Sequence, residues 1–541
     1  MPVIRISDFG KAGLNTDVEP TLLQQGEWNI LDNIDLESGD IRSAWGDTTV
    51  SGTCPIVPRY TFVYEGETGT FLIVSDGAVV YAFNGQIWRD ISPVDSPVVS
   101  RSWDDMLTTW NGDTTQWDEQ PGSAPAVTGG YVTFTVFLGT LVINFSDGTP
   151  AYWPDVADRM EVLPGWPAAW RAESIIAYQN FLVAIGLDNG ATAGAKYTVA
   201  WSNAAAEGEI PQDWDPAVTG SLAGLLQLRD TDGYLVVAKV LRDDLVLYKN
   251  DSIYRMFYTG NEFIFDIERV ISDRGCDSVD GVGALGDVHF FADRGDIRVF
   301  NGQETQSIAI SRIKEALSSA ISNENRDKTI VVAYPERDEV WVAVVPAGST
   351  TADVVLVYNK IYDAWSLKRY PGTLSMTLGP FSVTTQSSGL TWDEYQIPWN
   401  SAEDTWNQSA YEPSEDGMIF GASPNILYRA DKTNSDREGN AKVCKAERSG
   451  FLVADIPQSV TVQAVYPEME GNATVQIQLG AQWFPGDNIR WTLPQSFTPG
   501  YSRRLKTRIT GQPCAFRITS NVTDGWRLGA LSLQVVEARG R

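Results

Sequence analysis

The chain has 541 residues, and its 69 Asp+Glu against 41 Lys+Arg give a net charge of −28. Hydrophobic residues make up 43%, with 19 Trp, 20 Tyr and 20 Phe, ample apolar material for a folded core, so global disorder is excluded. Only 20% of residues are charged and no heptad-bearing A/E/K/L/R-rich stretch is present, which excludes a coiled coil; the acidity argues against a general nucleic-acid binder, because phosphate neutralisation needs a basic footprint.

At about 150 residues per domain the length predicts three or four domains, or one large β-assembly with appendages. The opening segment, MPVIRISDFGKAG, lacks an apolar h-region, and no run approaches the length of a membrane-spanning helix. Cys54, Cys276, Cys444 and Cys514 are too scattered for a CxxC or zinc spacing, which fits a reduced compartment. The expectation is a protein made in the cytoplasm, with no membrane insertion, no metal and no cofactor.

In chain order the pattern is β almost throughout. Thr61–Tyr64, Thr70–Val74 and Ala78–Phe83 are short apolar runs, with Asp76-Gly77 as a hairpin turn between the last two. The pattern returns at Tyr131–Phe145. Gly233–Val240, Asp244–Lys249, Ser252–Tyr258 and Glu262–Ile267 read as a four-strand meander. Val288–Ala292 and Asp296–Phe300 form another hairpin, followed by Thr329–Tyr334, Glu339–Val345 and Val354–Tyr358. Only Ser311–Ser322 has helical spacing, with Ile313, Leu317 and Ile321 on one face. Groups of three or four short antiparallel strands predict a β-propeller, with a sandwich as the alternative. Asp230-Thr231-Asp232-Gly233 resembles the start of a calcium loop, but Leu241 stands where the bidentate Glu belongs, so a hairpin turn is expected.

Two segments are internal duplicates. Trp103, Trp110 and Trp117 recur at intervals of seven in Ser102–Trp117, and Trp392, Trp399 and Trp406 do the same in Thr391–Trp406. The intervening Gly, Asn, Thr and Pro favour loops over a helix. Such tryptophans either staple long insertions or form a docking platform for a partner protein.

The last hundred residues differ in charge. From Asn440 to Arg541 there are 12 Lys+Arg against 7 Asp+Glu, whereas the rest of the chain has 29 against 62. Arg503, Arg504, Lys506 and Arg508 cluster on one expected strand, either as a solvated face or for docking against an acidic subunit. The expected organisation is all-β: residues 1–50 an N-terminal arm or platform strand, 51–439 a β-propeller with Trp-rich insertions at 101–120 and 391–407, and 440–541 a C-terminal β-sandwich-like module.

Chemistry is sparse. His289, the sole histidine, sits in an apolar strand and reads as a core residue. There is no GxSxG elbow, no phosphate loop and no GxGxxG after a strand. A glycoside hydrolase needs only two carboxylates beside aromatic platforms, but no carboxylate stands out here. The chain therefore reads as non-catalytic, with a glycan-binding or glycoside-hydrolysing propeller as the alternative.

Several segments together resemble one family. Gly13–Gly46, with its Gly-Leu-Asn start, Gly26-x-Trp28 and Gly39-Asp40 turn, resembles the opening of tail nozzle (tubular tail) proteins of short-tailed bacteriophages. Val199–Gly224 is similar to that family's Trp-Ser … Trp … Gly signature, through Trp201, Ser202, Trp214 and Gly224; Asp273–Gly302 and Val357–Tyr370 resemble its hairpin and Tyr-Asn … Trp-Ser strand pair. Gly511–Val535 is similar to its closing strands, although Gly511-Gln512-Pro513 replaces the usual Gly-Arg-Tyr. The resemblance implies a propeller with inserted platform and tip elements in a homo-hexameric ring at the distal end of a virion tail. It implies an adaptor protein above, tail fibres or spikes at the side, and double-stranded DNA passing transiently through the lumen. The six tryptophans and the four C-terminal cations are then the expected partner contacts.

Overall fold

A short strand that is apolar on both faces cannot bury itself; it needs a hydrogen-bonded neighbour at each edge and a packed layer above and below. The computed structural model describes residues 3–537, apart from residues 38, 51–52, 86, 94–129, 189–195, 207, 261–263, 322–323, 382–415, 431–438, 453–458 and 485. Among the described residues the fold is all-β, with a single α-helix, Lys314–Ala320, inside the segment of helical spacing.

Five four-stranded antiparallel meanders follow one another. Unit 1 is Tyr60–Glu65, Thr70–Ser75, Val80–Phe83 and Trp88–Asp90; unit 2 is Val132–Phe137, Thr140–Phe145, Ala151–Trp153 and Glu161–Val162. Unit 3 is Ser174–Tyr178, Phe181–Ile185, Thr198–Trp201 and Gly224–Gln227; unit 4 is Leu235–Leu241, Asp244–Lys249, Ile253–Tyr258 and Phe265–Ile271. Unit 5 is Val282–Leu285, Val288–Asp293, Asp296–Phe300 and Thr305–Ser307. Unit 6 starts with Ile330–Tyr334, Glu339–Val344 and Ala352–Asn359, and takes the first half of the long strand Ala364–Gly379 as its outer strand. The second half of that strand opens unit 7, which continues through Gly417–Ala422 and Ile426–Ala430 and ends on Asp47–Thr49 from the N-terminal region.

Each first strand lies beside the first strand of the next unit, and that of unit 7 lies beside that of unit 1. The seven units thus close into a propeller-like ring. Closure depends on Gly379, where a Cβ would lie 2.5 Å from Cβ of Val63 in unit 1. Between units the packing is apolar: Phe62 stacks on Phe134 at 5.4 Å across units 1 and 2, and Trp201 meets Phe265 edge-on at 5.5 Å across units 3 and 4.

The N-terminal strands form no separate arm. Val3–Ser7, Ile34–Glu37 and Asp40–Ser43 join Val460–Gly471, Leu505–Gly511 and Trp526–Glu537 in one sheet. Ile30–Asp32 joins Cys444–Leu452, Pro513–Ser520 and Val475–Ala481 in the other. The two sheets share a core containing Trp28, Ile34, Ile41, Val462, Phe516 and Leu531, continuous with units 5 and 6. Ile30–Asp32 also bridges to Leu367, so the sandwich hangs on the outer edge of unit 6.

A buried charge cluster clasps that junction. Asp35, 1% exposed, meets Lys368, 0% exposed, at 2.6 Å, and Arg337 and Arg42 at 3.4 and 3.7 Å. Burial alone would push the Asp35 carboxyl up, but the three cations outweigh it and hold it well below the usual carboxylate range. Lys368 lies over the Trp341 ring at 4.1 Å and Lys442 over the Tyr370 ring at 3.8 Å. Burial pushes Lys442 down to about 8.

Candidate functional site

In four of the seven units a polar residue one to three positions ahead of the first strand comes to the same end of the ring axis. Tyr131 precedes Val132–Phe137, Glu173 precedes Ser174–Tyr178, Tyr234 precedes Leu235–Leu241 and Asp327 precedes Ile330–Tyr334. They line a cavity of about 640 Å³, joined by Lys196, Asp277, Glu324 and Arg326 over an apolar floor of Leu235, Val236 and Val279. Tyr60, the first residue of unit 1's first strand, reaches the same region and donates to Gly130 O at 3.3 Å.

Several of these groups are held in place. Tyr131 donates to Asp327 Oδ2 at 2.5 Å, Lys196 pairs with Glu173, and Arg294 N donates to Asp277 Oδ2 at 3.3 Å. Burial, then Asp327, pushes the Tyr131 phenol well above the usual tyrosine range. Tyr60 is pushed up to about 12 by burial and by Asp280. Asp280 and Lys239 are exposed to solvent yet crowded by surrounding protein. Desolvation pushes Asp280 up to about 6, against the pull of Lys239, while desolvation lowers Lys239. The cavity mixes carboxylates, cations and phenols, a set suited to binding a small polar molecule by hydrogen bonds and charge.

The histidine and the cysteines are packed inside the fold. His289 is fully buried: Tyr248 Oη donates to its Nδ1 at 2.9 Å, and its Nε2 donates to Val240 O at 2.9 Å. Burial drops it to about 4, so it stays neutral at pH 7. All four cysteines are buried and free; burial pushes Cys276 and Cys514 up to about 12 and Cys444 up to about 11. No group of three or more His, Cys, Asp or Glu arranged for a metal occurs among the described residues.

The calcium-like loop has its own internal cation. Asp230–Gly233 is not a hairpin turn: it connects unit 3 to unit 4, because the flanking strands belong to different sheets. The buried Lys249 ammonium donates to Leu228 O at 3.2 Å and to Thr231 O at 2.9 Å, and Asp230 accepts from Tyr254 Oη at 2.5 Å.

Trp103, Trp110, Trp117, Trp392, Trp399 and Trp406 lie outside the described residues. The residues that flank the two segments stand at opposite ends of the ring axis. The first segment follows the fourth strand of unit 1 in sequence and is followed by Tyr131, which lines the cavity; the second follows the first strand of unit 7, where Phe381 packs 6.0 Å from Phe83. Arg503, Arg504, Lys506 and Arg508 are all exposed, the last two on the edge strand Leu505–Gly511 and the first two leading into it. The structure thus separates the basic edge from the axial cavity. Sequence reasoning missed the cavity, although a polar residue recurring just ahead of four first strands was the available signal.

Compared with known proteins, the chain matches no protein-family model and no curated sequence.

Proposed function

We propose that the chain is a structural, non-catalytic virion subunit, a tail nozzle protein whose copies form a ring that conducts double-stranded DNA. The observation that carries the reading is architectural: an acidic seven-unit propeller bears a second β module, as the resemblance implies for a propeller with platform elements. The propeller's own axis is not the conduit. The cavity at its end holds about 640 Å³, the size of a small-molecule site, whereas the major groove of a duplex is alone about 12 Å wide. DNA passes between copies, along outer propeller surfaces whose negative charge repels phosphate and limits sticking. An adaptor ring and fibres or spikes dock at its ends and flank.

The test is mass and shape, by light scattering and electron microscopy, of the purified chain alone and mixed with its adaptor ring. Rings of about six copies around a hole wide enough for a duplex are expected. A chain that stays monomeric with the adaptor present overturns the reading. One observation favours a second reading, glycan binding: Tyr131 and Tyr234 flank carboxylates in the axial cavity. Binding on a glycan array, lost in Tyr234→Ala, would support it over the first.

A further inference from the structure

We propose that the basic edge of the sandwich docks onto the acidic outer corner of units 1 and 2 of a second copy of this chain, so that copies join head to tail. The inference rests on the ring reading and names the two faces that build the ring.

Among the described residues Leu505–Gly511 is an edge strand, paired on one side only, with Val460–Gly471. Leu505 points into the core, while Lys506 and Arg508 alternate outward beside Arg503 and Arg504. An open edge invites a foreign strand, but side chains already occupy this one. Gln495 Nε2 donates to Lys506 O at 3.0 Å, and Arg490 Nη2 donates to Thr510 O at 2.8 Å. Recognition there falls to side chains.

Exposed apolar residues run along the same edge. Tyr501, 91% exposed, leads into it; Leu493, 85% exposed, stands two residues before Gln495. At the far end Phe484 is 68% exposed, and Trp483 lies 4.1 Å from the Arg490 guanidinium. Lone exposed apolar residues are ordinary, but aromatics strung among arginines have the composition of an interface centre.

The same chain carries the complementary face. Glu65 and Glu67 are exposed at the end of unit 1's first strand, where Thr68 N donates to Asp155 Oδ2 at 2.7 Å and fixes that turn against unit 2. Val156 follows at 70% exposure, then Asp158, then the exposed pair Glu161–Val162. Arg89 is engaged there by Asp158 at 2.5 Å. Acid with aliphatic thus faces cation with aromatic. Because the two faces differ, the contact is heterologous and propagates until a ring closes. A two-fold dimer through the basic edge would set four cations against four and repel itself.

The test uses the full chain and two variants: Arg503→Glu/Arg504→Glu/Lys506→Glu/Arg508→Glu, and Glu65→Lys/Glu67→Lys/Glu161→Lys. Each is expected to self-associate at least about tenfold more weakly than the parent by light scattering, with an unchanged circular dichroism spectrum. An equimolar mixture restores association, since the acidic edge of the first variant meets the basic corner of the second, and the second's basic edge meets the first's acidic corner. The parent's association weakens steadily with added salt. A mixture that stays monomeric, either variant associating like the parent, or a parent that is monomeric, two-fold symmetric or indifferent to salt overturns the proposal. Rings with a central hole formed by both variants would refute these two faces and leave the conduit standing; a chain that stays monomeric with its adaptor refutes the conduit itself.

Discussion

The sandwich junction and the ring axis both crowd charge against protein, and they treat it in opposite ways. At the junction Asp35 lies among Lys368, Arg337 and Arg42 within 3.7 Å, and its carboxyl is driven down. On the axis Asp280 is exposed yet crowded by protein; Lys239 pulls its carboxyl down, but desolvation wins and drives it up to about 6. The difference is neutralisation. A buried carboxylate with several close cations is a clasp that needs all its members, whereas an exposed, weakly compensated carboxylate crowded by protein is a proton acceptor poised near neutrality.

The clasp is the place to break that comparison most visibly. Asp35→Ala leaves Lys368 buried without the carboxylate it meets at 2.6 Å, while Arg337 keeps Glu339 at 3.3 Å, and removing one partner of a buried pair costs about 3–5 kcal/mol. Urea denaturation should show that loss. A double variant, Asp35→Leu/Lys368→Met, should recover much of it, because the desolvation cost of both charges disappears together. If Asp35→Ala unfolds like the parent, the cluster is not what joins the two modules.

Ring closure comes next. Gly379→Val places side-chain atoms against Val63, at a junction with no free volume, and overpacking of this kind costs about 1–3 kcal/mol. A thermal melt measures it. The paired change Gly379→Ala/Val63→Ala should lose less than Gly379→Val, since it removes part of the obstruction on the unit 1 side.

A smaller effect lies in the pH profile. The folded pKa of Asp280 is raised, so the folded state binds more protons than the unfolded chain between about 4 and 6, and this contribution to stability fades as pH rises through that window. His289 is lowered to about 4 from an ordinary value near 6.5, so the unfolded chain binds more protons there and stability grows as pH rises from about 4 to 6.5. The two slopes oppose each other. Asp280→Asn should therefore steepen the loss of stability on acidification from pH 6.5 to 4, measured by denaturation at a series of pH values. A profile parallel to the parent's would show that Asp280 titrates like an ordinary carboxylate.

How legible each region was in the sequence follows from the same physics. The meander Gly233–Ile267 could be read because alternation and turn residues are local, and the observed strands fall within a few residues of it. Asp230–Gly233 misled because a turn between two sheets has the same local chemistry as one within a sheet. Pairing of Asp47–Thr49 with Ile426–Ala430, distant in sequence, leaves no local mark. Nor do the partners of Asp35, drawn from positions 42, 337 and 368. Tyr131, Glu173, Tyr234 and Asp327 looked ordinary one at a time; only the ring brings them to one axis.

The basic edge sharpens the comparison from outside, because its charges are solvated and leave the fold nearly untouched. Arg503→Ala, Arg504→Ala, Lys506→Ala and Arg508→Ala should each shift stability by no more than about 0.5 kcal/mol, as for most surface substitutions. Their combined variant should melt like the parent at every salt concentration. What changes is association: with the four cations gone, its salt dependence should flatten, because most of the charge that the ions screen is removed from that edge. Asp35→Ala should do the reverse, lowering the melting temperature while any surviving folded chain keeps the parent's salt response. Should the combined edge variant melt early instead, those cations are tied into the sandwich itself, and the separation drawn between inner clasp and outer edge fails.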